Sequence, residues 1–526
     1  MSRRLITICI TVILTGQTWG QIDIPRSANT SKSILDELGE DSFSDPDDFD
    51  TFLINNEKEF YAFLDSIDAD YARFLEKEWL SVPLGGVVDK EKDKEIKPII
   101  RKKGDDKKEE GRAIQGEIIP IIKDSKPQPQ PIKPIEENQL NNEYNSFNFY
   151  GTIFNVRWSD APKFKLSNLS NNEIARGYRV FSDEKYKNLL FDCLKLRKEY
   201  NLCDWAYYKV LEKMSEAACG IGSNEAVLLK GVLFNHSGYK MRFATNPKTK
   251  RLHLLCSIVG NAYEYPQYTI DGKAFYLFEK TKLPNLNYCP KEYKGEQDMS
   301  LAINTLPNLD VLLSKKKTIQ ASSYPIVVSS RVNKNLIDFF DEYPTSYSNN
   351  DVMTRWAYYA NTPVSDEVKK AVYPVLKEKI ADMPEEKAVN MLLDWVQPPY
   401  NDGKKMEEGL QIGFPYLLDD KEWGYDRAFF AEETLFYPGS DCEDHAILFS
   451  HLVRDLLGLD VILVFYDGDP GHLATAVCFN KDVRGDYIMV GNRKFTIADP
   501  TYTGAPAGET MPQCQNMKTK YILCNR

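Results

Sequence analysis

The chain has 526 residues, 42% of them hydrophobic and 27% charged, an ordinary globular composition with room for about two to four domains. Lys and Arg number 66 against 77 Asp and Glu, a net charge of −11, which excludes a broad nucleic-acid footprint because phosphate binding needs a basic surface. With five histidines there is little material for a multi-histidine metal site, and no metal or other cofactor is expected.

Residues 1–20 have the layout of a secretory signal peptide. Arg3 and Arg4 precede an apolar run from Leu5 to Leu14, and Thr18-Trp19-Gly20 ends in a small residue. Cleaved or kept as an anchor, the leader predicts an exported chain, periplasmic, cell-surface or secreted. No later run approaches the ~18 apolar residues of a membrane span. Ten cysteines less Cys9 of the leader leave nine, so at least one thiol of a monomer is unpaired. Cys514 and Cys524 are near enough in sequence to pair; buried free thiols are the alternative.

Residues 21–48 are acidic and polar and are expected to be disordered. Over 49–80 the pattern turns helical, with Phe60, Leu64, Ile67, Tyr71 and Phe74 on one seam. That amphipathic helix must self-associate, hold a partner, or dock on the body of the protein. Residues 81–140 read as a charged and Pro-rich linker. It carries a loose repeat, Glu95-Ile-Lys-Pro-Ile-Ile100 and Glu117-Ile-Ile-Pro-Ile-Ile122, then Pro127, Pro129, Pro131 and Pro134. Fully extended at about 3.1 Å per residue, it would span on the order of 150 Å. The Ile pairs are either docking motifs or parts of a solvated spacer.

Residues 141–330 read as a mixed strand and helix accessory domain. Phe147 to Trp158 has β composition and Glu184 to Ala218 is helical. Val227–Phe234, Tyr239–Thr245, Arg251–Ile258 and Tyr268–Phe278 are expected strands. His236 and His253 are lone and structural. Helices follow over 331–400, one capped by Ser365. Another opens at Pro384 with Val389, Leu392, Leu393 and Val396 on its stripe.

The chemistry-bearing stretch is Pro438 to Gly504. Ser440 or Asp441 can cap a helix whose apolar positions Cys442, Ala446, Phe449, Val453 and Leu456 step by 4, 3, 4 and 3, and Gly458 ends it. Cys442 thus sits in a first helical turn, where free amides and the helix dipole favour a thiolate, while Glu443 and Asp444 oppose it. Strands are expected over Val461–Tyr466, Leu473–Phe479, Asp486–Val490 and Arg493–Ala498. In such a meander His472 and Asp499 meet at one sheet end, beneath Cys442. A thiolate nucleophile, a histidine base and an orienting aspartate are the parts of nucleophilic acyl transfer, with the Cys442 amide as an oxyanion donor. Gln411, Trp423 and Tyr437 are candidates for a second donor. His445 competes as base but lies on the same helix and reads as structural, as does His451. Asp467 and Asp469 fail the EF-hand spacing and read as turn residues.

Ser440-Asp441-Cys442 through Ala446, Gly471-His472-Leu473-Ala474 and Ala498-Asp499-Pro500-Thr501 resemble, in order, the core of the transglutaminase-like superfamily of cysteine enzymes. The stretch Asp394-Trp395-Val396 with Tyr400 resembles the upstream part of that core. The likeness covers about 390–505. It implies an α+β, papain-like fold, with a buried nucleophile helix against an antiparallel sheet, filling a catalytic domain at 331–526. It also implies Cys442 as nucleophile, His472 as base and Asp499 as orienting acid. Ser440 stands where the family usually has glycine. The implied function is an exported amide hydrolase or acyltransferase that cleaves peptide or isopeptide bonds of a peptide or protein substrate through a thioester. The competing reading is a non-catalytic envelope scaffold with a relic triad. In a third, an N-terminal segment or the 141–330 domain covers the cleft of a proenzyme.

Overall fold

The computed structural model describes residues 66–89, 95–102, 111–120, 127–140, 142–158, 161–348, 351–400, 410–419 and 423–524. The expected leader, the expected disordered segment at 21–48 and residues 49–65 of the expected helix lie outside the described residues. The fold is mixed α+β. Among the described residues no helix is long and apolar enough to cross a membrane.

The accessory part is built on a closed six-stranded barrel. Around it run Leu80–Gly86, Asn285–Tyr288, Met241–Asn246, Arg251–Ser257, Lys273–Leu277 and Gln267–Ile270. Helices Asn171–Phe181, Lys187–Glu199, Asp204–Cys219 and Asn224–His236 pack beside it. The last of these overturns the strand expected at Val227–Phe234. Its apolar residues are buried almost all round, which removes the one-sided stripe that marks a helix. The Ser223 side chain, accepting from Ala226 N–H, is the cap that marks its start. The helical turns at 66–75 dock on the same body through buried Tyr71, Ala72 and Leu75, with the Tyr71 ring 5.0 Å from that of Tyr178.

The C-terminal part centres on a six-stranded sheet in the order Tyr487–Val490, Arg493–Ala498, His472–Cys478, Asp460–Asp467, Lys518–Leu523 and Gly116–Ile118. The expected meander is present. The sequence reading did not include Lys518–Leu523, which pairs with Asp460–Asp467 and makes that strand central. Its residues alternate between two cores. Val461 packs with the helices, while Ile462, Val464 and Tyr466 face the opposite side. A strand covered on both faces reads as a continuous apolar run. Helix Cys442–Leu457 lies on the first face, ended by Gly458 at φ 66°. Helices Asp366–Ile380 and Glu385–Val396 cover it from outside, closing a core of Val389, Leu392, Phe449, Leu452 and Val453.

Two boundaries drawn on the sequence do not divide the structure. The division at 330/331 falls inside a shared core, in which Leu336, Phe339, Trp356, Cys442, Ala446 and Ile447 belong with the accessory helices. Strands Lys317–Gln320 and Val327–Ser330 form a sheet with Leu410–Ile412 of the C-terminal part. The 81–140 stretch, in its described parts, is not a spacer but lies along the protein. Leu80–Gly86 is a barrel strand, Ile96 and Ile119 are buried, and Ile132 and Ile135 pack on the large core. Polar composition misleads here because main-chain pairing needs no apolar side chain. The nine cysteines outside the leader are all unpaired, Cys514 and Cys524 included.

Helix Asn224–His236 approaches the barrel closely at Gly231, where an added Cβ would stand 2.3 Å from the Phe243 ring. Gly231→Ala should therefore destabilise the protein by about 1–3 kcal/mol, the usual cost of overpacking, read as a lower denaturant midpoint.

Candidate functional site

The site forms where three elements end. Asp441 caps helix Cys442–Leu457, putting Cys442 in its first turn. His472 opens its strand, paired in register with Tyr466, whose ring lies nearly parallel to the imidazole. Asp499 follows the last residue of Arg493–Ala498. All three side chains are buried.

His472 Nε2 lies 2.9 Å from Asp499 Oδ2. The other oxygen, Asp499 Oδ1, accepts from the Thr501 amide and hydroxyl, each at 2.9 Å, and from Tyr502 N–H at 3.3 Å. Burial works against the ionised carboxyl, but the His472 charge, its hydrogen bond and the Thr501 donors hold Asp499 below its usual value. Gln397, just past helix Glu385–Val396, fixes the loop. Its Nε2 donates to the Asp499, Tyr502 and Ala505 carbonyls at 3.2, 2.8 and 3.0 Å, and its Oε1 accepts from Gly504 N–H. With Nε2 committed to Asp499, the nitrogen left for a thiol is His472 Nδ1, which is buried and without a hydrogen-bond partner.

Cys442 Sγ accepts from Leu473 N–H at 3.1 Å, which places the sulfur beside the first peptide of the histidine strand. The Cys442 thiol donates to Glu95 Oε1 at 2.8 Å, and Cys442 N–H donates to Glu95 Oε2 at 3.2 Å. Tyr416 Oη donates to the same Oε2 at 2.9 Å. Tyr416 is held there by main-chain bonds on both sides, Leu417 N–H to Ser440 O and Ser440 N–H to Pro415 O. One carboxylate oxygen thus lies where an oxyanion would, between the helix-start amide and a tyrosine hydroxyl.

Of the three residues the sequence nominates, His472 and Asp499 are hydrogen-bonded and Cys442 Sγ meets the neighbouring Leu473 amide; Tyr416 and Glu95, which join them here, are not among the residues nominated. The donors proposed instead lie elsewhere. Gln411 bonds its own turn at Gly413 O, Tyr437 bonds Asp341, and Trp423 packs edge-to-face on Phe429 and Tyr437. Nothing local marks Tyr416, which reaches the site only because its stretch bridges to Ser440. His445 lies between the Phe414 and Tyr416 rings, and burial lowers its pKa to about 4, so it stays neutral. His451 is likewise lowered by burial and by Arg454.

The helix start is strongly acidic. Burial, then Glu95, Glu443 and Asp441, push the Cys442 thiol well above its usual pKa. The dipole of the helix is outweighed, as Glu443 and Asp444 foreshadow in the sequence. Asp419, Asp441 and Asp444 have carboxylate oxygens within 4.8 Å of one another, as do ligand atoms of Glu95, Cys442 and Glu443. A hard cation asks for about six to eight oxygens. The Asp trio offers fewer, because Asp444 accepts from Phe429 and Asp441 amides and Asp419 from Arg427 N–H. The trio fits shared protons better than an ion.

Comparison of the chain with protein-family models, with curated proteins and with solved structures gave no match.

Burial and the Asp444 and Glu443 carboxylates raise the Asp419 carboxyl above its unfolded value of ~3.9. Its contribution to stability is full below that value and is lost as pH rises, because unfolding then releases a proton. Asp419→Asn removes the loss while keeping an acceptor for Arg427 N–H. The variant should melt roughly 2–4 °C higher than the parent at pH 8, with a smaller gain at pH 5. An equal or larger gain at pH 5 would contradict this account.

Proposed function

We propose that this chain is an exported, cysteine-dependent acyl-transfer enzyme of transglutaminase-like type. The observation that carries the reading is the arrangement at the helix start. A His472–Asp499 pair with Nδ1 unbonded opens the strand whose Leu473 N–H meets Cys442 Sγ, and two donors, Cys442 N–H and Tyr416 Oη, converge on one Glu95 oxygen. Cys442 Sγ would attack the acyl carbon of an amide while His472 Nδ1 takes the thiol proton. The oxyanion would be held by the Cys442 amide and the Tyr416 hydroxyl. Burial first, then Glu95, Cys442 and Asp441, keep that hydroxyl protonated. The C–N bond then breaks, and His472 returns the proton to the leaving amine. Asp499 fixes the imidazole tautomer and supports its charged form. Water or an amine would resolve the thioester, giving hydrolysis or transfer. The carboxyl group that meets the thiol here, that of Glu95, belongs to a side chain, which supports side-chain carboxamides and isopeptide amides over main-chain bonds as substrates.

The scaffold reading has one observation in its favour. Glu443 and Asp441 are part of the helix start itself and oppose a thiolate in every state of the site. The intact Asp499 network, with four hydrogen bonds around one carboxylate, weighs against a relic.

The test is turnover by the Glu95→Ala chain, whose nucleophile is uncovered, on glutaminyl and isopeptide substrates, with amine release and hydroxylamine trapping as readouts. Cys442→Ala and His472→Ala should abolish it. Asp499→Asn should lower kcat by about 10²–10⁴-fold, and Tyr416→Phe by roughly 10²-fold with KM little changed. Turnover that survives Cys442→Ala would end the proposal.

A further inference from the structure

Glu95 lies 347 residues before the cysteine it touches. It begins a described segment, 95–102, that crosses the catalytic loops in extended form. Ile96 N–H donates to Gly471 O at 2.8 Å, and Arg101 N–H donates to Thr503 O at 2.9 Å. Those two carbonyls flank the triad. Gly471 precedes His472, and Thr503 lies in the loop that follows Asp499. Side chains reinforce the pairing. Ile96 is buried in the core of the open sheet face, with Ile99 packed against it. Arg101 clamps Glu509 with two nitrogens, at 2.6 and 2.8 Å.

We infer that residues 95–102 are an intramolecular strap that occupies the acyl-binding cleft and keeps the nucleophile silent, with Glu95 in the place of the reacting carboxyl group. The inference rests on the acyl-transfer reading of the site and adds its regulation. Two features of Glu95 and one of the strap carry it. Both carboxylate oxygens are used at the site, Oε1 by the thiol and Oε2 by the two donors an oxyanion needs. A carboxylate is also the inert member of its class. Its carbon resists a thiol, and its charge opposes formation of the thiolate beside it. The strap also takes main-chain carbonyls that an extended substrate would use by strand addition, so the two compete. The holding contacts are a few edge hydrogen bonds, one ion pair and two isoleucines. Such a strap closes the cleft because it is tethered, at high effective concentration, and it yields when the tether or the clamp is broken. Departure of Glu95 removes the nearest negative charge from the thiol and frees the Cys442 amide and Tyr416 hydroxyl together.

The experiment is the second-order rate of iodoacetamide alkylation at Cys442 in the full chain, mapped by peptide mass. The comparison is between the parent, Glu95→Ala, and Arg101→Ala, which loosens the strap from outside the site. Uncovering should raise the rate at least about tenfold in Glu95→Ala and severalfold in Arg101→Ala, in chains that still melt cooperatively. A Glu95→Ala chain that is folded and alkylates no faster than the parent overturns the strap. An accelerated rate in a chain without turnover leaves the strap standing and removes the acyl-transfer reading. Turnover by the parent at the rate of Glu95→Ala does the opposite.

Discussion

The hydrogen bond from Leu473 N–H to Cys442 Sγ, 3.1 Å long, joins the start of the buried helix to the start of a central strand. Everything else at the site depends on that junction. It requires the helix to lie flat on the sheet, which its two-sided apolar surface ensures. Ala446 and Ile447 face one core, Phe449 and Val453 the other. It requires the His472 strand to hold its register, which seven pairs with Asp460–Asp467 fix. A slip by one residue would turn His472 to the other face of the sheet. The Asp499 loop then has one position to fill, and Gln397 locks it from behind. The arrangement of Cys442, His472 and Asp499 is a consequence of core packing rather than an addition to it.

The cost is borne at the helix start. Glu443, Asp441, Asp444, Asp419 and Asp426 crowd one end of the helix. Arg355 bonds Asp426 and faces Glu443, while Asp444 is held by backbone amides. Burial and mutual repulsion raise the carboxyl groups of Asp419, Asp441, Glu443 and Asp444. In the acyl-transfer reading, a nucleophile in such a field is a thiol at rest, and its activation would depend on His472 Nδ1 accepting the proton. The acidic helix start and the well-held imidazole would then act together, keeping the thiol quiet until a substrate carbonyl meets it.

Much of this was legible in the sequence where the signal was local. The helix from Cys442 announced itself by its cap, its spacing and Gly458. The strands around His472 and Asp499 announced themselves by β-branched runs and the turn at Asp467–Gly471. The helix at Asn224–His236 was not legible as a helix, because burial on most sides erased its stripe. Gln411, Trp423 and Tyr437 were plausible oxyanion donors by type alone. Tyr416 instead reaches the Glu95 oxygen that the Cys442 amide also bonds, because a parallel bridge to Ser440, 24 residues on in the chain, carries it there. Residue type can nominate a donor, but only long-range pairing can seat one. The same limit hid Glu95.

The repeat in the charged stretch shows how far composition can mislead. Both copies, from Glu95 and from Glu117, end up as edge segments on the same domain. The second runs parallel to Lys518–Leu523 through Gly116, Glu117 and Ile118, with Ile119 buried below and Glu117 exposed. The first meets the sheet at Gly471, with Ile96 buried and Glu95 turned inward. Edge pairing consumes main-chain donors and one apolar side chain per contact, so Lys, Glu and Pro can fill the remaining positions. A Pro three residues after each Glu lacks an N–H, which stops the pairing from growing into a long, permanent strand. The two copies therefore share a docking rule and differ in what the neighbouring glutamate meets, solvent in one case and the nucleophile in the other. A segment that binds by a few replaceable backbone bonds is well suited to occupy a cleft whose substrates would bind by the same bonds.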